Sequence, residues 1–453
     1  MSEAVRLTTL RKAAIGMGDF GCNLYWQVSQ MFLLYFYTDV VGLPAVTAGL
    51  VYMAALIWDG ATDPVMGLIA DRTRSRWGRY RPYLIFGGVP LALGFVAVFL
   101  TPAAGVAGAF VLALGAQFVF RSFYTIVSIP YASLFARITS DSAERGDLAG
   151  FRMVFGALAA ITVAALTLPL AQGFGAESPR HGWVVVAGIY GVLSVLSLLL
   201  AAWGAQGLDK VETTREPRPP LRDVLRSVAS NRALLLVLAA IVVSSFSTTM
   251  FGKNLLYYFK YVVGQENLGG AALTVTALVL VMAVPVWTVL LRVIGKKSAW
   301  IIGSVIGAIG LIGWRLADGH DLSLLFVALA VQAVGMAAGV VCFWSMLPDT
   351  VEYGEWRSGV RTESLVFGLT VLAQKVALGL GAGTLGVLLT HVGYVPNVAQ
   401  SPQTLADLKA MMLWLPLGGT LTAAALIVFY PISRQTHARM VAEIAARKLE
   451  IPK

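Results

Sequence analysis

Val46-Thr47-Ala48-Gly49-Leu50-Val51-Tyr52-Met53-Ala54-Ala55-Leu56-Ile57-Trp58-Asp59-Gly60-Ala61-Thr62-Asp63-Pro64-Val65-Met66-Gly67-Leu68-Ile69-Ala70 is an apolar run interrupted by two carboxylates. A membrane-crossing helix needs about 20 such residues, so the run reads as a span. Each buried carboxylate in it costs about 2.5–3.5 kcal/mol on insertion scales, which a pair without a task does not repay. Asp59 and Asp63 are four residues apart and share one helix face, and Pro64 should loosen the helix beside them. Two carboxylates on one face of a membrane helix suggest a cation site.

The rest of the chain agrees. Of its 453 residues 57% are hydrophobic and 13% charged, against about 25% charged in soluble domains. The mean hydropathy is +0.75. Apolar runs predict about twelve spans, near 13–38, 46–70, 83–102, 106–136, 149–171, 183–204, 234–262, 271–292, 298–315, 322–347, 364–390 and 409–430. The first holds Asp19, Asn23 and Gln27 and lacks the plain apolar centre and cleavage site of a signal peptide. Cys22 and Cys342 both fall inside spans, so no disulfide framework is expected.

The net charge of +10 is concentrated in alternate loops. Arg72, Arg74, Arg76, Arg79 and Arg81 crowd the second loop, and Arg137 and Arg145 the fourth. Lys210, Arg215, Arg218, Arg222, Arg226 and Arg232 fill the segment 205–232. By the positive-inside rule both termini are cytoplasmic, at the inner (plasma) membrane. The charges read as topology signals, not as a nucleic-acid surface. The linker 205–232 divides the chain into an N-terminal six-helix bundle (1–204) and a C-terminal one (233–430), followed by a cytoplasmic tail (431–453). That division, with a substrate site at the midplane, is the arrangement of the major facilitator superfamily.

Enzyme chemistry has no support. The sequence contains no GxxxxGK[ST] loop, and His181, His320, His391 and His437 show no metal-ligand spacing. Secondary transport by a monomer without a cofactor is the expectation.

Several motifs narrow the reading. Tyr37-Thr38-Asp39-Val40-Val41-Gly42-Leu43, Trp58-Asp59-Gly60-Ala61-Thr62-Asp63-Pro64 and Thr73-Arg74-Ser75-Arg76-Trp77-Gly78-Arg79-Tyr80-Arg81-Pro82 come first. Tyr124-Thr125-Ile126-Val127-Ser128-Ile129-Pro130, Tyr257-Tyr258-Phe259-Lys260-Tyr261, Asp349-Thr350-Val351-Glu352-Tyr353-Gly354-Glu355-Trp356 and Gly393-Tyr394-Val395-Pro396-Asn397 follow in order. Over nearly its whole length the chain resembles the glycoside–pentoside–hexuronide:cation symporters, of which the melibiose permeases are the best known.

The resemblance implies a cation site for Na+, Li+ or H+ at Asp59, Asp63 and Thr125, which would be the metal ligands if the ion is sodium. Asn23 is counted with both the cation and the sugar ligands. The implied sugar residues are Asn23, Ser128, Arg152 and Lys375. The melibiose permeases carry aspartate where Asn23 and Ser128 stand, and a sugar-packing tryptophan where Ala132 stands.

These departures remove two carboxylates, while Arg121 and Lys253 add charge within spans. An arginine fork suits a carboxylate or sulfonate, so an acidic glycoside, a hexuronide or a sulfonated sugar, is one expectation. Arg121 has a second reading, as the counter-ion of Asp59 or Asp63 when the cation is absent. Asp19, Asn23, Trp26 or Gln27, and Gln30 recur at helical spacing on the first span, and Trp26 and Trp344 are candidates for sugar stacking. A neutral oligosaccharide and a lysolipid-type substrate are the alternatives. Asp349, Glu352, Glu355, Arg357, Arg361 and Glu363, together with the Arg137–Arg145 region, are expected to form polar gating loops before spans eleven and five.

Overall fold

The computed structural model describes residues 7–101, 105–139, 142–209 and 221–450. Most of the linker, including Lys210, Arg215 and Arg218, lies outside the described residues, as does the Arg222 side chain. The described chain is helical. Its long helices are α1 (Thr9–Met31), α2 (Ala45–Arg72), α3 (Arg81–Phe99), α4 (Gly105–Ile138), α5 (Ser142–Gly173) and α6 (Pro179–Gly204). They continue with α7 (Arg232–Tyr257), α8 (Glu266–Ile294), α9 (Lys296–Ala317), α10 (Leu322–Ser358), α11 (Glu363–His391) and α12 (Pro402–Val428). A short helix, Leu221–Ser230, precedes α7, and Arg434–Glu450 follows α12. Among the described residues eleven helices are long and apolar enough to cross a membrane. The Asp19–Asn23–Gln27–Gln30 stripe lowers the hydropathy of α1, which is absent from that set although it packs among the others.

Several boundaries move, for one physical reason. Hydropathy ends at the membrane surface, whereas backbone hydrogen bonding continues wherever side chains find water or partners. The segment 349–358, expected as a loop, therefore extends α10 through Pro348 to Ser358, and Arg145 lies on α5. α2 likewise runs unbroken through Pro64 from Ala45 to Arg72. Two π turns, Phe36–Val40 and Tyr258–Val263, finish the expected first and seventh spans. Such turns give apolar periodicity no distinct signal.

The described residues form two compact units. The first comprises residues 1–213, 259–277 and 382–404; the second comprises 214–258, 278–381 and 405–453. In the first, the basic second loop folds into a tight turn on the end of α6. Ser75 Oγ donates to the Gly78 carbonyl, and Asp209 accepts from the Tyr80 and Arg81 amides at 2.6 and 3.0 Å. Gly78 has φ +110°, and a Cβ there would sit 2.4 Å from the Asp209 carboxylate, so glycine is required. In the second unit α9 and α10 approach backbone to backbone. A Cβ on Gly335 would lie 2.3 Å from the Gly307 nitrogen, the close packing that small residues allow in membrane helices. Side chains start α7 and α10, where Asn231 and Asp321 accept from the Leu234 and Leu324 amides at 3.0 and 2.9 Å.

Candidate functional site

The two aspartates of α2 meet α4 inside the first unit. Asp59 is fully buried and Asp63 half-buried. Thr125 Oγ1 lies 3.0 Å from Asp59 Oδ1 and 3.1 Å from Asp63 Oδ1, and Thr62 Oγ1 lies 3.3 Å away. One hydroxyl proton cannot serve both carboxylates at once, so this is a gathering of oxygens more than a saturated hydrogen-bond pair. Carboxylate and hydroxyl oxygens are hard donors that suit a small cation.

Arg121, one turn before Thr125 on α4, stands on the other side of Asp59. Its Nη1 is 3.7 Å from Asp59 Oδ2, and the residue is 1% exposed. All three guanidinium nitrogens are buried without a hydrogen-bond partner. The planar group lies near the rings of Phe120 and Trp26, at 5.4 and 5.7 Å. The sequence left Arg121 with two roles, and the structure places it beside Asp59.

The polar stripe of α1 faces α4 and α5. Asp19 takes a fork from Arg152, with Nε at 2.5 Å and Nη2 at 3.3 Å. The Arg152 side chain keeps 34% exposure and lies over Phe135 at 4.4 Å. Asn23, half-buried, donates to the Asp19 carbonyl at 2.9 Å, a bond within its own helix. Trp26 stacks on Tyr124 with ring centres 6.2 Å apart. Gln30 accepts from Tyr52 at 2.7 Å, while Gln27 and Ser128 are half-buried.

In the second unit Lys253 on α7 and Lys375 on α11 are buried, and Trp344 on α10 is 47% exposed. Trp344 also lines a cavity of about 220 Å³ that the sequence did not reveal. Ser244, Ser304, Gln332, Gln374 and Thr420 line it with Trp300 and Phe343, and no charged side chain takes part. Gln332 Oε1 is buried there without a hydrogen-bond partner. Hydropathy hides such a site, because isolated serines and threonines in apolar helices usually bond their own backbone.

The acids expected to gate have partners within the second unit. Asp349 holds Lys296 at 2.7 Å, and Glu352 meets His437 of the tail helix at 2.7 Å. Arg361 bridges Glu355 and Glu363 at 2.9 and 2.8 Å. Glu363 and Glu355 raise the pKa of that guanidinium by hydrogen bonding to its charged form.

Sequence reasoning also assigned no task to Asp39, although it lies within a quoted motif. Its side chain accepts from Lys260 Nζ at 2.7 Å, from Tyr261 at 2.5 Å and from Tyr394 at 2.7 Å. Asn397 donates to the Asp39 carbonyl at 2.7 Å and accepts from Lys260. The cluster joins the end of the first span to residues 259–263 and 392–397, all within the first unit.

A protein-family model described as MFS/sugar transport protein matches residues 14–434. The chain belongs to that family. It is a multi-pass membrane transporter, not an enzyme. An isoprimeverose transporter of Lactiplantibacillus pentosus is 30% identical to it, over 92% of this chain and 88% of that one. A putative sulfoquinovose importer of Salmonella typhimurium (strain LT2) is also 30% identical, over 98% and 94%. Among solved structures, one described for substrate recognition in proton-dependent oligopeptide transporters superposes with a TM-score of 0.71. It shares 12% identity, over 96% of this chain and all of that one, and so shows the fold alone, that of the major facilitator superfamily.

Proposed function

We propose that the protein imports a sugar or glycoside by cation-coupled symport, with Asp59, Asp63 and Thr125 holding the Na+ or H+ that drives accumulation. The observation that carries this reading is the convergence of three hard oxygen groups from α2 and α4, two of them carboxylates in a membrane helix. The names of the relatives, transporters of isoprimeverose and sulfoquinovose, support a sugar as cargo. The basic loops support cytoplasmic termini in the inner membrane, with the linker joining two six-helix bundles. The protein acts as a monomer.

The substrate we favour is acidic. The Arg152 fork keeps 34% exposure beside Asp19, and the implied sugar positions Asn23 and Ser128 carry no charge, so nothing at those two positions repels a carboxylate or sulfonate. One observation favours a neutral substrate instead. The 220 Å³ cavity of the second unit offers amides, hydroxyls and tryptophans without a charge. Thermal stabilisation of purified protein by methyl glucuronide and by methyl glucoside separates the two. Asn23→Asp and Ser128→Asp should each weaken the glucuronide by about tenfold or more, because like charges are placed together, and leave the glucoside within about threefold. Stronger stabilisation of the wild type by the glucoside overturns the acidic reading.

A further inference from the structure

The Arg121 guanidinium presents a physical problem. It is 1% exposed, and none of its nitrogens has a hydrogen-bond partner. Buried charges are normally both paired and hydrogen-bonded, and an arginine fork is well shaped to satisfy a carboxylate at two points. Arg121 instead stands 3.7 Å from Asp59 Oδ2, close enough for charge attraction and too far for a hydrogen bond. The rings of Phe120 and Trp26 lie 5.4 and 5.7 Å from it, and the phenol of Tyr52 is a further polar neighbour. Asp59 Oδ1, meanwhile, lies 3.0 Å from Thr125 Oγ1, which also reaches Asp63 Oδ1 at 3.1 Å.

An ion pair built for stability would close that gap. This one neutralises Asp59 without locking it. A small cation placed among Asp59, Asp63 and Thr125 would lie a few ångströms from the guanidinium, and the burial of Asp59 and Arg121 leaves little screening of the repulsion between them. Ion and arginine therefore bind the same carboxylate in opposition.

We propose that Arg121 is a built-in competitor of the coupling ion. It holds the charge of Asp59 while the site has no ion, and it gives way when the ion binds. The proposal rests on the assignment of the ion site to Asp59 and Asp63, and it adds that the ion affinity of this chain is set from outside the ligand set. Trp26, which is half-buried and stacked on Tyr124, gives the displaced guanidinium an aromatic face to move along. The arginine thereby links the ion site to the α1 polar stripe.

The test uses Na+ and Li+ as probes on the purified full-length protein, with choline as the balancing cation and thermal stabilisation as the readout. Arg121→Gln should lower the concentration of Na+ or Li+ giving half-maximal stabilisation by about tenfold or more. A wild type without measurable response should gain one. Arg121→Lys retains a competing charge and should stay within about threefold of the wild type. If Arg121→Gln is unstable, Na+ or Li+ should restore it more than they raise the wild type, because the ion replaces the missing charge. Unchanged or weaker ion response in Arg121→Gln, or an instability that neither ion relieves, overturns the proposal. Asp59→Asn separates the two levels of the argument. If it leaves the ion response intact, the ion-site assignment itself fails. If it removes the response while Arg121→Gln changes nothing, only the competitor role fails.

Discussion

Asp39 and Asp59 are both buried aspartates of the first unit, and each lies near a basic side chain, half-buried Lys260 for one and fully buried Arg121 for the other, but their surroundings differ. Asp39 is saturated. Lys260, Tyr261 and Tyr394 donate to its carboxylate, and Lys260 is itself shared with Asn397. Asp59 faces the Arg121 guanidinium at 3.7 Å, too far for a hydrogen bond between them. Short, shared bonds identify a clasp that holds three parts of the chain together. A long contact without a hydrogen bond between the partners is what the proposed replaceable charge requires. Burial alone does not distinguish the two aspartates; the hydrogen bonding of the carboxylate and of the cation beside it does.

The largest effect expected from this contrast is at the clasp. Asp39→Ala leaves Lys260 and two tyrosine hydroxyls without their acceptor, and removing one partner of a buried pair costs about 3–5 kcal/mol. The apparent melting temperature should fall sharply, and neither Na+ nor Li+ should restore it, in contrast to the ion-rescued Arg121→Gln. Restoration of Asp39→Ala by either ion would erase the distinction between the two sites. A smaller effect is expected from Thr125→Val, which keeps the shape and removes one hydroxyl. Hydrogen bonds to charged groups are worth about 1.5–3 kcal/mol. Half-maximal stabilisation by the coupling ion should therefore require about tenfold more of it or greater, with little change in ion-free stability. An unchanged ion titration would take Thr125 out of the site.

The proposed ion site was largely legible in the sequence. Carboxylates in an apolar run are rare enough to stand out, and their four-residue spacing places them on one face before any coordinates exist. Arg121 was visible as a charge in a span, but its role was not, because spacing along α4 does not say whether a side chain points to α1 or α2. The Asp39 clasp was hidden for a different reason. Its members come from three distant segments and two π turns, and each residue reads alone as an ordinary polar group at a span end. The cavity of the second unit was the least legible, since Gln332, Ser304 and Thr420 carry no charge and interrupt no pattern. Each expected span is helical, whereas Leu221–Ser230 and Arg434–Glu450 are helices in polar sequence. Helix length did not follow hydropathy, because residues 349–358 continue a helix in polar sequence beyond the point where the apolar run stops.

Gradient-driven accumulation by Asp63→Asn in sealed proteoliposomes tests the central claim most directly. The substrate is whichever of methyl glucuronide and methyl glucoside the wild type binds, and an inward Na+ or proton gradient is imposed. The variant should bind the glycoside in detergent with affinity near that of the wild type and fail to concentrate it inside the vesicles under either gradient, because the ion site and the sugar-facing stripe are separate groups linked only by coupling. Full concentrative uptake by Asp63→Asn, matching the wild type, would contradict the account.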